Sequence, residues 1–315
     1  MKEFIINEND SDQRVDKFIA KSVPRLPKSL LYKYIRLKRI KLNGKRCEIF
    51  TRLKSGDILC MYINDEFFEA DSKTDFLSVP SEIDVVYEDE NLLLVNKPVG
   101  LCVHESNENL PDTLINRILH YLYSKGEYDP KEEQSFTPAL CNRIDRNTCG
   151  IVIAAKNAAA LRTMNQKIKD REIKKTYLCA VVGELPQKSG VLKNFILKNE
   201  DENMVRVFDS PRPGAKTAIT EYRVIKTKNG LSLIEILLKT GRTHQIRAQM
   251  AHIGYPLFGD GKYGTHTVFG GKKYKYQALC SRKLEFAFKS DSAPLEYLNG
   301  KKFKTDKAWF LKFFD

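Results

Sequence analysis

Pro138-Ala-Leu-Cys-Asn142-Arg143-Ile144-Asp145-Arg146-Asn147-Thr148-Cys149-Gly150-Ile-Val-Ile-Ala-Ala-Lys156 sets one carboxylate between apolar segments, with guanidiniums on both sides. Ala139 and Leu140 lead in, and Ile151 to Ala155 read as a buried strand of β-branched and small residues. Asp145 therefore sits on a connection between apolar segments, where a carboxylate must be paired or take part in chemistry. The plain alternative is a turn cap through Asn147 and Thr148.

Working outward, the chain has 315 residues and 42% hydrophobic content, enough for one sizeable core or for a core domain plus a small module. A net charge of +13 calls for a polyanionic partner, nucleic acid or an anionic membrane surface. No apolar run reaches the ~18 residues of a membrane span, and no signal peptide is visible, so the expectation is RNA rather than membrane, in the cytoplasm. The seven cysteines are scattered without a Cys-x-x-Cys pair, which fits a reducing compartment and offers no metal site. Among the five histidines, His244 and His252 stand eight apart, and no His-x-x-x-His pair appears. Tandem repeats, Gly-rich phosphate loops and a Gly-x-Ser-x-Gly elbow are missing, which removes nucleotide-driven and serine-hydrolase readings.

Near the amino terminus, Ser11 and Asp12 offer an N-cap to a helix with Val15, Phe18 and Ile19 on one face. A second helix follows Pro27, with Leu31, Tyr34 and Ile35 inward, and the Asn43-Gly44 turn closes a strand begun by Ile40 and Leu42. Lys28 to Arg46 holds eight Lys or Arg residues and no acid. Such a run is either a solvated face or, being of one sign on a small folded unit, a footprint for backbone phosphate; the second is preferred. Residues 64–80, with Asp65, Glu66, Glu69, Asp71 and Asp75, read as a linker that lets 1–63 move independently of 81–315.

In the larger part, Ile83 to Val95 reads as a hairpin ending in Asn96-Lys97-Pro98-Val99-Gly100. Lys97 is either an ion-pair partner or an RNA contact. Asp112 is placed as cap of a helix through Leu114, Ile118 and Leu122, and Asn157 as cap of one through Leu161, Met164 and Ile168. A strand from Lys174 to Gly183 carries Tyr177, by itself an ordinary core aromatic. After a hairpin around Asn229-Gly230 comes Gly241-Arg242-Thr243-His244-Gln245-Ile246-Arg247, where Thr243 can cap a helix that buries Ile246, Met250 and Ile253. Arg247 falls at the edge of that face, where a snorkelling arginine is the ordinary state. Lys272 to Lys275 reads as a solvated loop, with phosphate tracking as the alternative, and Trp309, Phe310, Phe313 and Phe314 as a docked terminal segment.

The Asp145 stretch resembles the signature of the RluA family of pseudouridine synthases, His-Arg-Leu-Asp-x-x-Thr-Ser-Gly followed by a hydrophobic strand ending in Ala-Lys. Arg143, Asp145, Thr148, Gly150 and Lys156 match; Asn142 replaces His, Ile144 replaces Leu and Cys149 replaces Ser, and the first of these leaves the local hydrogen bonding open. The Lys-x-Tyr strand at Tyr177 and the Gly-Arg-Thr-His-Gln-Ile-Arg string resemble the second and third motifs, and Tyr255-Pro256 to Tyr263-Gly264 resembles their continuation. Leu279-Cys280-Ser281 stands where the family has Leu-His-Ala. Residues 12–63 are similar to the S4 RNA-binding module, through Arg14-Val15-Asp16-Lys17, the Ser29-to-Ile35 helix and the Ile40-to-Lys45 turn.

The resemblance implies an α+β chain: a catalytic domain over 81–315 with a mixed, largely antiparallel sheet and flanking helices, and a small S4-like module over 1–63. It implies isomerisation of a uridine in structured RNA, large-subunit ribosomal RNA in preference to transfer RNA, by a monomer needing no cofactor and no metal. Asp145 is then the catalytic carboxylate, Arg247 its partner, and Tyr177 lies against the base. RNA contacts are assigned to Arg143, Arg242, His244 and, in the module, to Lys28, Lys33, Arg36, Lys38, Arg39, Lys45 and Arg46. The alternative from another class is an RNA-binding assembly factor on an inactive synthase fold.

Overall fold

Short apolar segments in the first sixty residues close into a four-stranded sheet covered by two helices. In the computed structural model, which describes residues 1–69, 74–104, 110–199 and 204–315, strands β1 (Lys2–Ile5), β2 (Ile40–Leu42), β3 (Lys45–Arg46) and β4 (Ile58–Met61) pair in the order β1-β4-β2-β3. Helices α1 (Val15–Ser22) and α2 (Lys28–Arg36) bury Val15, Phe18, Ile19, Leu31 and Ile35 against this sheet. Asn43 and Gly44 both take positive φ, as a two-residue turn between twisted strands requires.

The start of α1 departs from expectation. Asp12 and Val15 donate to Leu53 and Thr51 carbonyls and Leu53 donates back to Gln13, so the chain stays paired through this stretch and Arg14 becomes the N-cap, without a side-chain cap. Ser11 instead closes the preceding turn on the Glu8 carbonyl.

The acidic stretch carries single turns at Asp65–Phe68 and Asp75–Ser78; Phe67 and Phe68 pack on the first core, and Phe76 belongs to the second. Asp71 lies outside the described residues. Independent motion of the two parts is opposed by contacts across them: Asn9 Nδ2 donates to Glu133, Gln13 Nε2 to Ser135 and Gln134 Nε2 to the Ile5 carbonyl.

The second part is built on an 11-stranded sheet. Its chain runs through β5 (Val85–Glu88), β6 (Leu92–Lys97), α3 (Leu114–Ser124), β7 (Ala139–Leu140), β8 (Cys149–Ala155), α4 (Ala158–Lys169) and β9 (Ile173–Val182). It continues through β10 (Ser189–Asn199), β11 (Met204–Phe208), β12 (Lys216–Lys228), β13 (Leu231–Leu238) and α5 (Gln245–His252). The small hairpin β14 (Val268–Phe269) and β15 (Lys272–Lys273) precedes β16 (Leu279–Phe286) and β17 (Lys302–Lys304). The order is β11-β10-β12-β13-β9-β16-β8-β6-β5, with β17 on β16 and β7 on β8.

Neighbours are antiparallel except β16 and β8, which run parallel through Cys280 opposite Cys149 and Ser281 opposite Gly150. Gly150 is required there: at φ +108, a Cβ would sit 2.2 Å from the Ser281 carbonyl. All seven residues of β8 are buried, which is why it reads as a continuous apolar run.

Asn157 caps α4 by accepting from Ala160 N–H, as expected. Asp112, however, does not cap α3; Thr113 does, and Asp112 takes both arms of the Arg117 guanidinium at 2.6 Å. Phe310, Phe313 and Phe314 dock the carboxy terminus on Leu178, Leu231, Leu233 and Phe258. Lys272, Lys273 and Lys275 are solvated, and no described helix is long and apolar enough to cross a membrane.

Candidate active site

Three loops converge beside the β8–β16–β9 junction. Asp145 lies on the connection into β8, and its backbone carbonyl accepts from Thr148 N–H at 3.0 Å, so the turn geometry of the plain reading is present. Its side chain is used differently: Oδ2 accepts from Arg247 Nη1 at 2.9 Å, and the side chain remains 28% exposed. No described residue hydrogen-bonds to Oδ1. Asn142, the departure that left hydrogen bonding open, takes a structural place: its Oδ1 accepts from Ile153 N–H at 2.8 Å and ties the loop to β8.

Arg247 is not a snorkelling edge residue. It is 5% exposed, and α5 is buried on nearly every side because a polar network lies beneath it. Gln245 bonds Thr220, Thr240 and the Ile219 carbonyl, and Gln249 bonds Thr220 and Asn194. His244, in the left-handed region, rather than Thr243, occupies the N-cap.

Two guanidinium nitrogens of Arg247 go to a second carboxylate: Nε to Asp260 Oδ2 at 2.7 Å and Nη2 to Asp260 Oδ1 at 2.9 Å. Asp260 is fully buried and also accepts backbone N–H bonds from Lys262 and Tyr263. Burial opposes both charges, but the pair prevails: Asp260 is held below its ordinary value by Arg247, and Arg247 is raised by Asp260 and then by Asp145. A fork fixed on one carboxylate thus aims its remaining nitrogen at the other. In the sequence Asp260 shows only as a lone acid after Pro256-Leu-Phe-Gly259, with nothing local to mark its partner 13 positions before it. Gly259 is needed as well, since a Cβ there would meet the Tyr276 carbonyl at 2.2 Å.

Tyr177 sits on β9 opposite Ser281 of β16, whose hydroxyl donates to the Ile151 carbonyl at 3.1 Å. Burial, with a contribution from the Asp145 charge, pushes its phenol up to about 12. It is a neutral phenol at physiological pH.

Lys97 is neither of the two expected things. It is fully buried, its Nζ donating at 2.8 Å to the carbonyls of Pro98, Leu101 and Arg146, and burial pushes it down to about 8. Through it, and through Gly100 N–H to the Arg146 carbonyl, the 97–101 loop is clasped to the Asp145 loop. Arg143 is exposed on that loop, and Arg242 gives Nε to the Thr217 carbonyl. The seven module cations are all exposed, Lys28, Lys33 and Arg36 on α2, Lys38 and Arg39 on the turn after it, and Lys45 and Arg46 on β3. Within the module Arg39 covers Tyr34 and Lys28 covers Tyr32.

Fold and site together define an α+β protein that holds two carboxylates, Asp260 and Asp145, on one buried guanidinium beside a mixed sheet. Residues 91–252 match the RNA pseudouridylate synthase family. The chain belongs to that family and is an RNA pseudouridine synthase. It is 32% identical over 290 residues to the ribosomal large subunit pseudouridine synthase D of Borreliella burgdorferi, covering 90% of this chain and 84% of that one. Likewise it is 32% identical over 270 residues to the ribosomal large subunit pseudouridine synthase C of Buchnera aphidicola, covering 84% and 81%. Among solved structures, human RNA pseudouridylate synthase domain containing 4 superposes with a TM-score of 0.58 at 21% identity, over 72% of this chain and 90% of that one, which bears on the fold.

Proposed function

We propose that the chain isomerises a specific uridine of large-subunit ribosomal RNA, with Asp145 as the catalytic carboxylate. The observation that carries the assignment is the 2.9 Å bond from Arg247 Nη1 to Asp145 Oδ2, made by a guanidinium already fixed on Asp260. The reaction breaks the N1 to C1′ bond, turns the uracil and joins C5 to C1′, which requires the base to leave its stack at a cost of a few kcal/mol. Asp145 acts on the ribose in its ionised form, as nucleophile, as base or by stabilising positive charge; Oδ2 is held by Arg247, and Oδ1 is left for that task. Tyr177 lies against the base. With its phenol neutral, it accepts the C5 proton only by passing its own onward.

Residues 1–63 are read as an S4-like RNA-binding domain, 64–80 as a linker and 81–315 as the catalytic domain. Lys28, Lys33, Arg36, Lys38, Arg39, Lys45 and Arg46 would track phosphate from the module, and none of them has a carboxylate partner among the described residues. Arg143, exposed beside Asp145, would bind phosphate or fill the gap left by the flipped uridine. Support for ribosomal RNA comes from the names of the two relatives above, which specify the large subunit.

The test is carbodiimide primer-extension mapping of ribosomal and transfer RNA from cells with and without the gene, rescued by wild type or Asp145→Asn. Discrete stops in large-subunit RNA should vanish with the gene and return only with wild type. Asp145→Asn should fold, bind RNA and lose at least roughly 10³-fold in turnover. Turnover near wild type would remove Asp145 from the chemistry, and lost stops in transfer RNA would move the substrate.

A further inference from the structure

The Tyr263 phenol oxygen accepts the Val205 N–H at 2.8 Å and lies 3.0 Å from His244 Nδ1. Val205 can only donate, so the one acceptor left for the phenol's own proton among the described residues is Nδ1. When Nδ1 takes that proton's hydrogen bond, the ring's own proton is on Nε2. Burial, against the pull of the Asp145 charge, lowers His244 below its ordinary value, so the ring is neutral near pH 7.

The ring is held in place as well as in tautomer. It is 10% exposed, meets Tyr263 edge to face at 5.7 Å, and Tyr263 in turn lies under the Arg247 guanidinium at 5.2 Å. His244 Nε2 is 3.9 Å from Asp145 Oδ2. This is too long for a direct hydrogen bond. It is the base of a triangle whose apex, about 2.8 Å from each atom, subtends roughly 90°, the place for an oxygen that accepts from one and donates to the other. Asp145 Oδ2 keeps a lone pair for it beside the bond from Arg247.

We propose that His244 and Asp145 together bind the ribose 2′-hydroxyl of the target nucleotide, Nε2–H donating to it and Oδ2 accepting from it. The 2′-hydroxyl is both donor and acceptor, which is the property this pair selects, and it is the group that distinguishes RNA from DNA at one nucleotide. His244 then serves as a specificity-determining residue rather than a contact to phosphate. The inference rests on Asp145 being the carboxylate at the reacting ribose.

The experiment uses full-length protein and an RNA fragment carrying a mapped target, with ribouridine or 2′-deoxyuridine at that position. Single-turnover rates are measured for wild type, His244→Ala and Tyr263→Phe. The intrinsic effect of the missing hydroxyl on the chemistry is common to all three and cancels in the ratio of ratios. The preference for ribose should fall roughly 10- to 100-fold in His244→Ala and by less in Tyr263→Phe. Equal loss on both substrates, or no loss on either, overturns the proposal.

Nitrogen-15 spectra of the histidine ring give a readout independent of turnover: wild type should show the Nε2–H tautomer and Tyr263→Phe a mixture, and a wild-type Nδ1–H form would overturn the proposal. An Asp145→Asn enzyme that kept its activity would instead strike the assignment of the carboxylate, leaving the ring's tautomer as measured.

Discussion

Of the sites at which this molecule buries carboxylates, two treat them in opposite ways. In the cleft, Asp260 and Asp145 share one guanidinium, and Asp260 is held below its ordinary value by Arg247 although nothing of it reaches solvent. Where the amino-terminal part meets the 129–137 loop, Asp10 is equally buried but its carboxylate accepts only from the hydroxyl and the backbone N–H of Ser135, with Oδ2 left without a partner. Glu133 beside it accepts from Asn9 and also buries an unpartnered oxygen. Burial raises both acids, and Glu133 is raised further by the charges of Asp10 and Glu132. A carboxylate that has to stay ionised for chemistry is given a cation; one that joins two surfaces is given hydroxyl and amide donors and takes up a proton more readily.

Breaking the first site should cost most. Arg247→Ala strands Asp260 in the interior and releases Asp145, so it should abolish turnover and lower stability by about 3–5 kcal/mol, read by denaturant unfolding. Arg247→Lys keeps the charge without the fork and should restore stability in part and little activity. A variant as stable as wild type would show that the buried pair contributes nothing.

Asp260→Asn separates positioning from charge on the reacting residue. Turnover should fall with Asp145 untouched, and stability at pH 7 should drop by about 2 kcal/mol. The pH dependence has a defined sign. A depressed carboxylate contributes stability that is present above its unfolded value of 3.8 and is lost as pH falls through its lower folded value. The gap between wild type and Asp260→Asn should therefore close in acid. A gap that widened below pH 3 would contradict the pairing.

The smallest effect belongs to the second site, and its sign is reversed. Asp10 is raised above 3.8, so the native state holds the proton longer, and the contact weakens as pH rises through its folded value. Asp10→Asn should change stability by no more than about 1 kcal/mol and should flatten the pH dependence of protease cleavage in the 129–137 loop. A large loss at pH 7 would mean that an ionised Asp10 holds the two parts together.

The legible and illegible parts of the site divide on a physical line. Asp145 stands out as a carboxylate between apolar segments, whereas Tyr177 and Arg247, read alone as a core aromatic and a snorkelling arginine, are singled out only by their resemblance to the family's motifs; the strands and helices around them follow from period and turn residues. Lys97 was equally out of place in its stretch, yet its partners are three backbone carbonyls, which any sequence supplies at every position. The N-caps at Thr113 and Arg14 were misread because a neighbouring residue was committed elsewhere, Asp112 to Arg117 and Asp12 to the Leu53 carbonyl.

By itself the sequence determined the α+β class, the buried strand of β8, the basic helix α2 and the place of Asp145 between apolar segments, because local patterns carry hydrophobic period and chemical type. Only the tertiary structure decided that Arg247 is forked on Asp260, that His244 is turned by Tyr263 toward Asp145, and that Asp10 meets Ser135. Those contacts are set by which loops the 11-stranded sheet brings to one place, and residues 102 positions apart, such as Asp145 and Arg247, become neighbours through that packing.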